Sequence, residues 1–173
     1  MTIKVKVDIS AVEFRRLNSF EWAILTLLKT FTKDVPTIPE LSSQLAIGEP
    51  MFLVAALDAL HQVHAVVPRS EADGLMEIKD FEITELGLQV LKEEGWETDH
   101  GETFTETIHF DWPTLKFSSN RGGDHHGAKK HNYPSPDEVQ SHLTESILES
   151  WLNQSESKRC WRVKSFAVFS VEG

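Results

Sequence analysis

Between Val35 and Pro50 the chain is punctuated three times, and this punctuation constrains everything around it. Val35 precedes Pro36 and is pushed out of helical geometry. Thr37, with Pro39 in the next turn and Glu40 three residues on, reads as a capping-box start for a short helix. Gly48 makes the turn, and Pro50 opens a further helix. Two helices so close in sequence must change direction sharply. Ile38, Leu41 and Leu45 form the apolar face of the first. Leu53, Leu57, Leu60 and His64 form that of the second, expected over residues 50–64. A longer helix precedes them, with Phe20, Ala23, Ile24, Leu27, Leu28 and Phe31 at helical spacing. Asn18 or Ser19 caps it, and it should stop near Lys33.

Beyond the third helix, Val66 and Val67 lead to Glu71-Ala72-Asp73-Gly74, a hairpin turn signal, and Met76, Ile78 and Phe81 rebuild a strand. Thr84 caps a fourth helix with Leu86, Val90 and Leu91 apolar, and Gly95 stops it. The order is helix, helix, turn, helix, hairpin, helix. With the stretches PTIPELSSQLAIGEPMFLVAALDALHQVHAVV and EITELGLQVLKEEG, it resembles a winged helix-turn-helix domain over residues 19–96. The second stretch is similar to the T-x-x-G-x-x-x-L start of the helix after the wing in MarR-like and PadR-like regulators. The resemblance implies a third helix offered to a partner and a wing beside it, in DNA-reading members to the major groove and the phosphates.

The flanks have no such match. Ile3, Val5, Val7 and Ile9 alternate with Thr2, Lys4, Lys6 and Asp8, a half-buried strand within an N-terminal strand and linker over 1–18. Phe104, Ile108, Phe110 and Trp112 form a second alternating row, broken by Glu106 and ended by Pro113. Residues 118–135 are polar and Gly-rich and read as a long mobile loop. Ser135 caps a fifth helix, with Pro136 at its first position and Glu138 completing a capping box. Val139, Leu143, Ile147, Leu148 and Trp151 share its apolar face. Trp161, Val163, Phe166 and Val171 mark a last strand, expected to be buried towards its end. The fold class is therefore α+β: a winged helix-turn-helix domain followed, over 97–173, by a small α+β lobe of about three strands and one helix.

The 173 residues carry a net charge of -10. Residues 48–83, the third helix and wing, hold Glu49, Asp58, Glu71, Asp73, Glu77, Asp80 and Glu82 against Arg69 and Lys79 alone. That balance opposes docking on a phosphate backbone. The third helix starts with Met51 and Phe52, where DNA readers place Arg, Lys, Asn or Gln. Met and Phe are interface anchors, which favours a protein partner or homo-oligomer. A single cysteine, Cys160, fits a reducing compartment, and no secretory signal or membrane-length apolar run is present, so the expected location is cytoplasmic, away from any membrane.

The chemistry expected is non-enzymatic, with no catalytic residue, bound metal or cofactor. The leading reading is a winged-helix protein–protein interaction module, a subunit or fragment of a nucleic-acid-handling assembly. Its contact residues are Met51 and Phe52, joined by Leu143, Ile147 and Trp151 on the fifth helix. The first alternative is a DNA-binding transcriptional regulator using Arg15, Arg16, Lys29 and Lys33. The second is a metal-dependent enzyme or sensor. His125, His126 and His131 beside Asp124, or His61 and His64 three apart on the third helix, supply imidazoles for it but no defining ligand spacing. Cys160 between Arg159 and Trp161 has a cationic neighbour but no evident base.

Overall fold

A computed structural model describes residues 1–70, 77–118, 133–154 and 159–173. The chain divides into two units, one of residues 1–14 with 97–173 and one of residues 15–96, so the second is inserted into the first. The N-terminal strand belongs with the distant C-terminal half.

In the outer unit, β1 (Thr2–Arg16), β4 (Gly95–Asp111), β5 (Lys116–Phe117) and β6 (Cys160–Glu172) form one sheet in the order β5-β4-β1-β6. β1 runs antiparallel to β6, and β4 to β5. Ile3, Val5, Val7, Ile9 and Ala11 of β1 are buried on one face, as the alternation requires, with Ile108 and Phe110 of β4. Both long strands extend well past their alternating rows.

Helices α5 (Pro136–His142) and α6 (Glu145–Leu152) pack on β6. The single fifth helix of the sequence reading is thus two. Leu143 adopts extended geometry and turns into the core, and the Thr144 side chain accepts from the Ile147 N–H to start α6. Ser135 caps α5 as expected, accepting from the Glu138 N–H.

β6 is buried at its beginning rather than its end. Trp161 and Val163 are buried, whereas Phe166, Val168 and Val171 are half-buried against the core and Phe169 is half exposed. Two register shifts explain the pattern. Pairing steps from Ser170 to Val168 opposite Lys6 and Val7, and from Ser165 to Val163 opposite Ser10 and Ala11. Each shift bulges one residue, Phe169 and Lys164, and returns the next apolar side chain to the core face.

In the inserted unit, α1 (Ser19–Thr30), α2 (Ile38–Gln44), α3 (Met51–Gln62) and α4 (Glu85–Glu93) surround one core with a two-stranded sheet, β2 (Val66–Pro68) against β3 (Phe81–Ile83). A 3-10 turn over Ile78–Asp80 precedes β3, so Ile78 lies outside the strand expected there. Asn18 and Thr37 cap α1 and α2 through complete capping boxes with Glu21 and Glu40. α1 buries Glu21, Ile24, Leu25 and Leu28 and leaves Phe31 exposed, so its inner face is rotated from the expected one. In α2 the buried positions are Ile38, Leu41 and Ser42; the Ser42 hydroxyl donates to the Ile47 carbonyl, and Leu45 points outward. His64 lies past the end of α3 with φ 58°, exposed and off the core. Leu86 is exposed on α4, which closes on Glu94 at φ 59°, one residue before the glycine expected to end it.

Candidate protein-interaction surface

The start of α3 has no side-chain cap, because Pro50 occupies the capping position. α3 buries Leu53, Ala56, Leu57 and Leu60 and therefore turns Met51, Phe52 and Val54 outward. Met51 is 68% exposed and Phe52 54%. The Phe52 ring stacks on Phe20 at the start of α1, with centroids 5.7 Å apart and planes 11° from parallel. The first turns of two helices thus share one aromatic pair. Stacking restricts the orientations open to the half-exposed Phe52 ring.

The remaining sequence-named contact residues sit elsewhere. Leu143 is 4% exposed and belongs to the core of the outer unit. Ile147 and Trp151 pack against that core, and the Trp151 indole N–H donates to Glu106 at 3.2 Å. Leu143 is thus part of the folded core, and Ile147 and Trp151 are half-buried beside it. Glu106, which interrupts the apolar row of β4, is the acceptor that a half-buried indole needs.

Much of the acidity around α3 is used in local structure. Glu77 accepts from the Ile38 N–H at 2.7 Å at the start of α2, and Asp80 accepts from the Glu77 N–H at 2.7 Å. Arg69 donates to the Phe81 carbonyl. The backbone N–H and the hydroxyl of Thr37 hold the Glu40 carboxyl below the ordinary carboxylate range, with a smaller contribution from Lys79.

The T-x-x-G segment has a packing role. The Thr84 hydroxyl accepts from the Gly87 N–H and donates to the carbonyls of His64 and Ala65, while the Thr84 N–H donates to Ala65. This docks α4 on the turn between α3 and β2. A Cβ at Gly87 would collide with the Ala65 carbonyl oxygen and lie 2.8 Å from Cγ1 of Ile83, so glycine is required there.

The basic residues divide between the two units. Arg15 is spent on Glu21 and lies over Trp96, 4.3 Å from the ring centroid. Arg16, Lys29 and Lys33 are exposed in the same unit. Lys4 and Lys6 belong to the other unit, where both pair with Glu172.

His125, His126 and His131 lie outside the described residues, as do Glu71, Asp73 and Met76 and nearly all of the loop expected over 118–135. Among the described residues no three His, Cys, Asp or Glu side chains form a metal-sized group, and no helix is long and apolar enough to cross a membrane. The His61 ring packs edge-on against Phe81. Cys160 is half-buried at the start of β6, opposite Phe14. No family model, curated protein or solved structure matches the chain.

Proposed function

We propose that residues 15–96 form a winged-helix domain acting as a non-enzymatic protein-interaction module, with Met51 and Phe52 as its anchors. The observation that carries the reading is the Phe20–Phe52 stack, which holds a large apolar surface in place where a DNA-reading domain needs base-reading polar groups. Exposed aromatic and Met side chains at a helix start are suited to insertion into a partner's pocket. The surrounding acids add long-range selectivity for a basic partner. By analogy of fold, the larger assembly is one that handles nucleic acid.

The test is a mild affinity recovery from native cells with wild-type protein and Phe52→Glu, each with and without nuclease. The expected result is a stoichiometric protein that survives nuclease and is lost with Phe52→Glu, while the variant keeps its helical circular dichroism. Recovery of nucleic acid through Arg16, Lys29 and Lys33, with Phe52→Glu unaffected, would overturn it in favour of a DNA-binding regulator.

A further inference from the structure

The two sides of the four-stranded sheet are treated differently. Along β6, side chains from the covering helices meet the backbone. Gln140 donates to the Phe166 carbonyl at 3.2 Å and accepts from the Val168 N–H at 2.6 Å. Glu149 accepts from the Val163 N–H at 3.0 Å, and Asn153 bonds both the N–H and the carbonyl of Trp161. These three side chains do the work of a neighbouring strand and close that edge.

On the other side, β5 pairs only with Phe110 and Asp111 of β4, and the Ser118 N–H adds a bond to the His109 carbonyl. From Glu97 to Ile108, no strand lies beside β4 on that side among the described residues. Asp99 through Thr103 are all exposed. The segment has no Pro, Lys or Arg to discourage pairing.

Gly101 lies in the middle of this edge. Its φ is outside the left-handed region, and a Cβ would meet only ordinary contacts, Ala11 O at 3.6 Å and Val12 Cγ1 at 3.7 Å. The fold itself does not require a glycine there. A strand glycine without a side chain to pack leaves room for another backbone to come close.

We propose that a second copy of this chain pairs along this edge, β4 against β4, antiparallel about a two-fold axis through Gly101. In this register Gly101 faces its twin, His100 faces Glu102, Asp99 faces Thr103 and Glu97 faces Thr105. No acid opposes an acid, and each His100, which already meets Glu102 of its own strand at 2.9 Å beside Arg159, faces the Glu102 of the other copy. The pleat allows only registers that keep the two core faces together. Of the two neighbouring registers, the one centred on Glu102 sets that carboxylate against itself, and the one centred on His100 sets the two imidazoles together and gives Glu102 only Thr98 as its opposite. The next, centred on Thr103, needs the His109 edge that Ser118 already occupies. Isologous pairing of this kind closes after two copies and leaves the sealed β6 edges outermost.

Sedimentation equilibrium of the full chain tests the proposal, together with amide exchange at several protein concentrations. The expected result is a species of twice the chain mass whose protection over residues 97–105 rises with concentration. Gly101→Glu places two carboxylates face to face on the axis. It should raise the dissociation constant at least about tenfold while circular dichroism stays native. His100→Glu, which opposes Glu102, should act in the same direction. Phe52→Glu should leave the dimer intact, which separates this surface from the one on α3. A monomer at every concentration, or a dimer indifferent to both β4 variants, would overturn the proposal.

Discussion

Nη2 of Arg15 lies 2.7 Å from Oε1 of Glu21, a side chain with no exposed surface. The other oxygen of that carboxylate accepts from the Asn18 N–H at 2.9 Å. One buried acid therefore fixes both the last turn of chain before α1 and the helix start. Glu21→Ala removes both bonds and should cost about 2–3 kcal/mol in urea unfolding of the inserted unit, discounted because Arg15 is partly exposed. Glu21→Gln keeps an acceptor for Asn18 and should cost about half as much. Equal losses from the two variants would show that the Asn18 bond contributes nothing, and no loss from Glu21→Gln would show the same of the Arg15 pair.

Gly87 packs against the backbone of Ala65. Replacing a helical glycine with alanine at an open position raises stability. Here the added methyl must displace α4 from the α3–β2 turn and break the Thr84 bonds to Ala65. Gly87→Ala should lower stability by about 1–3 kcal/mol. A higher urea midpoint for the variant would show that α4 does not sit this close.

Gln140 closes two backbone groups of β6 with one side chain. Gln140→Ala leaves the Phe166 carbonyl and the Val168 N–H without that partner and should cost about 1–2 kcal/mol. Amide exchange at Val168 should quicken by about tenfold if the free energy of local opening falls by that amount. Unchanged exchange would place the protection of this edge elsewhere.

Glu40 has a depressed carboxyl pKa, chiefly from the Thr37 backbone N–H. The folded state then binds its proton less readily than the unfolded chain does. The resulting stabilisation is present above the ordinary carboxylate value and is lost as pH falls through the depressed one. Glu40→Gln should remove this part of the acid sensitivity. A carboxyl-carbon titration by NMR checks the direction, and a midpoint at or above the ordinary glutamate value would contradict it.

Thr37, Thr84 and Ser135 were readable as caps because each acts on a backbone N–H three residues away. Thr144 offered a similar signal, a capping side chain with Glu145 behind it, but the regular spacing from Val139 to Trp151 concealed the break. Met51 and Phe52 could be named as surface residues because Leu53, Leu57 and Leu60 already defined an inner face. Leu143, Ile147 and Trp151 had the same apolar character and a different fate, since β6 supplied the surface that covers them. Glu106 looked like an interruption until its distant partner, Trp151, was in place.

The sequence by itself determined what is settled within a few residues: the caps, the turn at Gly48-Glu49-Pro50, and the alternation that makes β1 a one-sided strand. These depend on backbone groups and side chains that are neighbours in any conformation of the chain. Only the tertiary structure decided that residues 1–14 join residues 97–173, that two bulges keep β6 facing the core, and that Gln140, Glu149 and Asn153 close one edge of the sheet. Each of these matches groups far apart in sequence, where local preference is silent and burial with hydrogen-bond satisfaction selects the partner.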